Sequence, residues 1–207
     1  AYYLAAAGIG SIRIADRDCV EAGNLNRQIL HNTSQIGRPK TQSAMETLHS
    51  LNPYCDIQPI QENIQDRNIL ELVEDCLVIL DATDNLETRK VLNRASIQKR
   101  IPFIYGGVNG FTGMATTLVP GYTPCLECLF PQSEGPHEPV GIIGPVPGVI
   151  GSIQSLEAIK LIVGIKGLLK GRMLIFNGMD MTFRNIHIDK NPDCRVCNPS
   201  IERSQHE

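Results

Sequence analysis

Tryptophan is absent from the 207 residues, and aromatic residues of every kind make up only 5%. The core must therefore be packed from aliphatic side chains. Neither sign of charge is in excess: 19 Lys and Arg stand against 22 Asp and Glu, for a formal net charge of −3. Such a balance lacks the basic footprint of a general nucleic-acid binder, so no nucleic-acid partner is expected. No run approaches the roughly 18 apolar residues of a membrane span, so no membrane partner is expected either. Internal repeats and low-complexity tracts are missing, and no linker interrupts the chain. Residues 1–207 therefore read as one domain, long enough to bury a sizeable core. There is also no initiating methionine and no polar lead-in. The chain opens AYYLAAAGIGSIRIAD, as if in mid-helix.

Cysteine, by contrast, is well represented, at positions 19, 55, 76, 125, 128, 194 and 197. The odd count and the lack of a recognisable leader argue against a secreted disulfide framework, and the cytoplasm is the expected compartment. Four of the seven form two C-x-x-C pairs in turn-rich settings, Cys125/Cys128 in TPCLECLFP and Cys194/Cys197 in NPDCRVCNP. Each pair can chelate one side of a tetrahedral zinc ion, and two pairs close the site. Four thiolates leave no open position, so such a zinc would be structural, tying the region near 125 to the tail near 195. The alternative is two unrelated reduced pairs, or one redox pair. Cys19, Cys55 and Cys76 read as spare, partly buried thiols.

The first half of the chain alternates strand-like and helix-like segments. Strands are expected at 12–16, 57–61, 77–80 and 101–105. Helices are expected at 41–51 (stopped by Asn52-Pro53), 67–73 (capped by Asp66) and 86–99. This alternation predicts an α/β fold of Rossmann type, with a mostly parallel sheet and helices on both faces. After Gly110 the rhythm changes. A strand at 114–119 is followed by a Pro- and Gly-rich crossover loop from about 131 to 147, then a helix over 148–164. Two closing strands, 173–176 and 183–188, read as an antiparallel hairpin.

Ligands of doubly wound sheets bind beyond the carboxyl ends of the strands. Two acidic clusters fall there: Asp16 and Asp18 after IRIAD begins its exit, and Asp81 and Asp84 in DATDN. Asp16 is the better placed to hold ribose hydroxyls. Alternatively these acids are solvated, and Asp84 or Asn85 caps the next helix. In Gly37-Arg38-Pro39-Lys40-Thr41, Pro39 suits a first helical turn, which puts Arg38 and Lys40 at the positive end of a helix dipole. An anion would reverse that unfavourable sign. Asn24-Leu25-Asn26-Arg27-Gln28 adds amides and another guanidinium. Ribose-type acids, phosphate-type cations and a carboxylate for a divalent ion point to a nucleoside triphosphate. Scattered surface charge is the alternative.

In order and spacing, AAAGIGSIRIADRD, NLNRQ, GRPK, DATDN, YGGV, CLEC and NPDCRVC resemble the ThiF/MoeB/HesA family, relatives of ubiquitin-activating enzymes, and most of all its MoeB branch. The resemblance spans almost the whole chain. It implies an adenylyltransferase that uses ATP to activate the C-terminal glycine carboxylate of a ubiquitin-like sulfur carrier ending in Gly-Gly, of molybdopterin or thiamine type, releasing pyrophosphate. It also implies that Asp16 holds the ribose, and that Asn24, Arg27 and Lys40 contact ATP. Asp84 would bind Mg²⁺ as the key catalytic acid, with Asn85 beside it. Cys125, Cys128, Cys194 and Cys197 would ligate Zn²⁺, segment 131–147 would cover the carrier's tail, and the protein would be a homodimer.

Two departures follow from the same comparison. The stretch PQSEGPHEPVGIIGPVPG has no cysteine, so a covalent carrier link there is not expected, and His137 in that stretch reads as a solvated loop residue. The family's first strand, its Gly-rich phosphate loop and an arginine lent to the partner's site would all precede AYYLAAAG, and the polypeptide is expected to extend upstream. Two other function classes remain open on the residues alone. An NAD-binding Rossmann oxidoreductase would also use Asp16, although GRPK and DATDN lack a hydride-transfer rationale. A non-catalytic, zinc-stapled scaffold would bind a ubiquitin-like partner without turning over ATP.

Overall fold

The computed structural model describes residues 1–131 and 141–198. Its strands fall into two sheets. β1 (Ser11–Ala15) pairs in parallel with β2 (Asp56–Ile60). The second sheet has the order β3 (Ile79–Leu80), β4 (Phe103–Asn109), β5 (Thr112–Leu118), β6 (Arg172–Asn177), β7 (Thr182–His187). Only β3 and β4 run parallel there, and the later neighbours are all antiparallel. The α/β class is as expected, but the sheets are mixed rather than mostly parallel. The cause is a hairpin hidden inside the apparent strand–loop–strand region. Gly110, at positive φ, and Phe111 form a two-residue turn between β4 and β5.

The helices are α1 (Tyr2–Ala6), α2 (Lys40–Leu51), α3 (Ile69–Leu72), α4 (Leu86–Lys99), α5 (Leu126–Leu129) and α6 (Pro145–Ile162). Two expectations are corrected. Asp66 does not cap α3, whose N-cap is Asn68, because Arg94 engages the Asp66 carboxylate at 2.8 Å. The last long helix begins at Pro145, not Gly148, since proline is at home in a first turn. That shortens the crossover, and its residues 132–140, including His137, lie outside the described residues.

The two-residue period of a strand explains how the larger sheet is clothed. Phe103 and Tyr105 of β4, Met114 and Leu118 of β5 and Met173 of β6 pack with Val91, Leu92 and Ala95 of α4. Their neighbours Ala115, Leu174 and Phe176 face the other way, onto Val146 and Ile150 of α6. Ile104 joins Ala158 of α6 and Leu4 of α1, a cluster that also takes in Ile12 of β1 and Leu80 of β3. Apolar packing around α1 and α6 therefore links the two sheets. As the composition requires, these clusters are chiefly aliphatic.

α6 lies unusually close to the sheet. A Cβ on Gly106 would sit 2.5 Å from the Gln154 side chain, and one on Gly113 would sit 2.4 Å from Ile150. Gln154 uses that proximity to donate from Nε2 to the carbonyls of Asp81 (2.7 Å) and Ile104 (3.2 Å). Deeper along α6, the buried Glu157 accepts from the Thr117 hydroxyl (2.6 Å) and the Leu169 N–H (2.7 Å), and pairs with Lys160. Gly106→Ala should therefore destabilise the fold by about 1–3 kcal/mol through overpacking against Gln154, read as a lower midpoint in urea denaturation.

Candidate nucleotide site and cysteine cluster

Asp16 follows β1 directly. Its N–H still continues the sheet to Ile60 O (3.1 Å), and its Oδ1 accepts from the Asp18 N–H (2.8 Å). This Asx turn holds the half-exposed carboxylate at the strand's carboxyl end. α2 is brought to the same place by a backbone bond from Lys40 N–H to Asp18 O (2.9 Å) and a bridge between Cys19 and Pro39. Lys40 Nζ lies 3.1 Å from Asp18 Oδ2 and 3.8 Å from Asp16 Oδ2, and the residue is only 9% exposed. A cation at a helix N-terminus is unfavourable by itself, and these two carboxylates supply the compensating charge. Arg38, expected at the same pole, is instead engaged by Glu46 on the exposed side of α2, with one bond of 2.9 Å. That pairing holds Glu46 below the ordinary carboxylate range and raises Arg38.

The segment after β1 forms a 3-10 turn, Ala22–Asn24, from which Arg27 folds back. The Arg27 guanidinium donates to Gly23 O (3.2 Å), Asn26 Oδ1 (3.0 Å) and Asn24 Oδ1 (3.3 Å). All three acceptors are neutral, so among the described residues this half-buried cation has no carboxylate partner. Two further polar atoms nearby in sequence, Gln28 Oε1 and Thr41 Oγ1, are buried without a hydrogen-bond partner. Unmatched groups of this kind are uncommon in folded chains and suit a site that takes a polar ligand. Asn24 and Arg27 thus share one turn, and Asp16 and Lys40 meet at the end of β1.

The DATDN segment divides its acids between two roles. Asp81 is 2% exposed. It pairs with Arg89 Nε (2.8 Å) and accepts from the N–H (2.9 Å) and hydroxyl (2.8 Å) of Thr83. Burial pushes its carboxyl up, against the opposing pull of Arg89 and Thr83. Arg89 also donates to Thr83 O (2.7 Å) and Gly106 O (3.1 Å), and stacks over Tyr105 with its Cζ 5.3 Å from the ring centre. Asp84 is exposed at the tip of the turn so braced. Asn85 caps α4 by accepting from Thr88 N–H (2.9 Å), while its Nδ2 reaches Asp84 Oδ1 (3.4 Å). The capping alternative is therefore correct for Asn85, and it leaves Asp84 unburdened.

No side chain of the Asp84 turn touches the Arg27 turn, but α6 holds both. At its start, Asn26 Nδ2 donates to Ile142 O (3.4 Å), and a Cβ on Gly144 would fall 2.0 Å from Asn26 O. Ten residues on, about 15 Å of helix, Gln154 grips Asp81 O. The sequence reading counted Asn26 only among the amides of its segment and missed Arg89, Gly144 and Gln154. Each acts through a contact distant in sequence, which no local pattern announces.

The four expected metal-site cysteines come together. Sγ separations are 3.8 Å for Cys125–Cys128, 3.6 Å for Cys125–Cys194 and 3.4 Å for Cys128–Cys197, and all four sulfurs lie within 4.8 Å of one another. A tetrahedron with metal–sulfur bonds of ~2.3 Å requires edges of ~3.8 Å, so the donor set fits a metal ion. Burial pushes the Cys125 thiol up and that of Cys197 up to about 11, which a bound cation would counter by stabilising the thiolates. Cys19, Cys55 and Cys76 stand outside the cluster. Cys19 is exposed, so only Cys55 and Cys76 match the expected burial.

With this geometry in hand, comparison is informative: residues 1–196 match the ThiF family. The chain belongs to the ThiF family. It is 40% identical over 200 residues to the SAMP-activating enzyme E1 of Haloferax volcanii, covering 94% of this chain and 74% of that one. It is likewise 40% identical over 203 residues to the adenylyltransferase and sulfurtransferase MOCS3 of Drosophila ananassae, covering 95% of this chain but 45% of that protein. Among solved structures, E. coli MccB superposes with a TM-score of 0.84 at 23% identity, covering 95% of this chain and 62% of that one. That likeness is one of fold. This ThiF-family chain therefore spans only part of each relative. Among its described residues, no helix is long and apolar enough to cross a membrane.

The cysteine cluster yields a direct test. The full chain should carry about one metal ion per chain by elemental analysis, and Cys194→Ser or a strong chelator should remove the metal and lower the melting temperature by several degrees. A metal-free chain whose melting is indifferent to both would show that the cluster is only a set of reduced thiols.

Proposed function

We propose that the chain is an adenylyltransferase that uses ATP to activate the C-terminal glycine carboxylate of a ubiquitin-like sulfur carrier ending in Gly-Gly. Beyond family membership, one observation supports this reading: Arg27, on the segment that follows β1, is half-buried and met only by neutral acceptors among the described residues. Asp16 would hold the ribose hydroxyls. Asn24, Arg27 and Lys40 would take the phosphates, with Asp18 releasing part of its hold on Lys40 as phosphate enters.

A carboxylate oxygen of the carrier attacks the α-phosphorus. The new oxygen–phosphorus bond forms as the bond to the β-phosphate's bridging oxygen breaks, and pyrophosphate leaves with the electron pair. Both reactants are anions, so the barrier is largely electrostatic and fixed cations lower it. One unit charge 4 Å from a phosphate is worth up to about 4 kcal/mol at an effective dielectric of 20, close to three decades in rate.

Mg²⁺ prefers one or two carboxylates together with substrate phosphates, and the exposed Asp84, flanked by Asn85, is a carboxylate of that kind. The metal would add positive charge beside the departing pyrophosphate. Zn²⁺ suits the four sulfurs, and a closed four-thiolate site gives it a structural role. The same reading makes the working unit a homodimer in the cytoplasm. The 40% identity to an enzyme named for SAMP activation, and to one named as an adenylyltransferase and sulfurtransferase, favours a sulfur-carrier-like protein substrate.

The test is exchange of labelled pyrophosphate into ATP, dependent on a ubiquitin-fold carrier protein that ends in Gly-Gly. Asp84→Ala should lower exchange at least a hundredfold, with melting unchanged because Asp84 is exposed. Exchange that survives Asp84→Ala would remove its catalytic assignment. Capture of the carrier with no exchange by the wild type would favour the scaffold instead.

A further inference from the structure

His31 lies four residues beyond Arg27 on the same turn-rich segment, and Ser43 lies one helical turn beyond Lys40 on α2. The His31 ring Nδ1 and the Ser43 hydroxyl are 2.7 Å apart, with Ser43 fully buried. One residue earlier, Leu30 O accepts from the Thr47 hydroxyl at 2.8 Å, so a second tether runs along the same face of α2. Segment 22–31 is otherwise held by short-range turn bonds, the Asn26–Ile142 contact and Leu30, which packs on the core cluster that contains Leu48 of α2.

Resting on the adenylyltransferase reading, we propose that His31 is a positioning residue of the nucleotide site. Its bond to Ser43 sets the turn bearing Asn24, Arg27 and Gln28 against the first turn of α2, which bears Lys40. Arg27 and Lys40 must converge on one triphosphate, yet Arg27 meets only neutral groups of its own segment and Lys40 is held by Asp16 and Asp18. Neither cation fixes the position of the other. The His31–Ser43 bond is the polar side-chain link that stands nearest to both, each of its ends a short stretch of backbone from one of them, while the Leu30 contacts anchor the end of the segment on α2. Burial and the nearby Lys40 charge push the His31 ring below its usual range, against the pull of Asp16, so the ring is neutral near neutral pH. A neutral amide placed at the Nδ1 position can therefore stand in for it.

The experiment compares the full-chain wild type with His31→Ala, His31→Asn, Ser43→Ala and the His31→Ala/Ser43→Ala double variant. ATP affinity is read by titration calorimetry, and KM for ATP and kcat by carrier-dependent pyrophosphate exchange. His31→Ala should weaken ATP binding and raise KM about fivefold, the weight of one net hydrogen bond, with kcat within twofold. Ser43→Ala should do the same, the double variant should add nothing further, and His31→Asn should recover wild-type KM. Unchanged ATP affinity in His31→Ala overturns the proposal. So does a variant that melts lower but keeps its KM, and so do losses that add in the double variant. A wild type that binds ATP but shows no exchange would remove the activity reading alone, because the calorimetric comparison still decides the role of His31. A wild type that does not bind ATP overturns both.

Discussion

The close seating of α6 on the sheet is the constraint from which the rest of the arrangement follows. Gly106 and Gly113 bare the backbone of β4 and β5 where Gln154 and Ile150 descend, and Gly144 does the same for the Asn26 carbonyl. A helix brought that near can reach main-chain acceptors with an amide side chain, as Gln154 does with Asp81 O and Ile104 O. One rigid element therefore fixes both the turn that carries Arg27 and the turn that carries Asp84. Catalysis by positioning needs that rigidity, because small displacements of charged groups around a triphosphate are costly in rate.

Much of this was legible before any coordinates. α4 occupies the expected 86–99, and α2 begins one residue earlier than expected at Lys40. Strand exits carry the anticipated acids, and two C-x-x-C pairs distant in sequence meet as four sulfurs. These features are local or compositional, so periodicity and spacing reveal them. The sheet's mixed direction was missed although a turn signal was present: Asn109-Gly110 ends β4, and Phe111 leads straight into β5. The start of α6 was misplaced for a related reason. Proline read as a breaker in a Pro- and Gly-rich stretch, yet at Pro145 it opens the helix.

The partition of the DATDN acids shows why residue type alone could not assign roles. Asp81 and Asp84 are equally plausible as metal carboxylates in the sequence. Burial separates them. Asp81 has its oxygens saturated by Arg89 and Thr83, and its backbone carbonyl is taken by Gln154, so it has nothing left to offer a ligand. Its effect is to stiffen the turn and leave Asp84 projecting. The pairing Arg89–Asp81 was invisible because its partners lie eight residues apart across a strand exit and the first turn of α4.

The same separation of bracing from binding runs through the phosphate side. Arg38 and Lys40 flank one proline, and both were candidates for an anion. The structure gives Arg38 an exposed carboxylate of the helix that follows it, whereas Lys40 sits buried between Asp16 and Asp18. A buried ion pair is weak evidence for stability, since its desolvation cost roughly offsets its attraction. Arg17 also pairs with Asp18, at 3.6 Å, so two carboxylates and two cations leave a formally neutral cluster, which by itself does little to attract a triphosphate. Arg27, whose charge is met only by neutral acceptors, would supply net positive charge on the proposed reading, and a divalent ion at Asp84 would add to it. On the proposed reading, the site would attract ATP when the Arg27 turn, the Lys40 helix and the Asp84 turn are held together. Contacts such as His31–Ser43 and Gln154–Asp81 would then bear on the nucleotide through the placement of those charged groups.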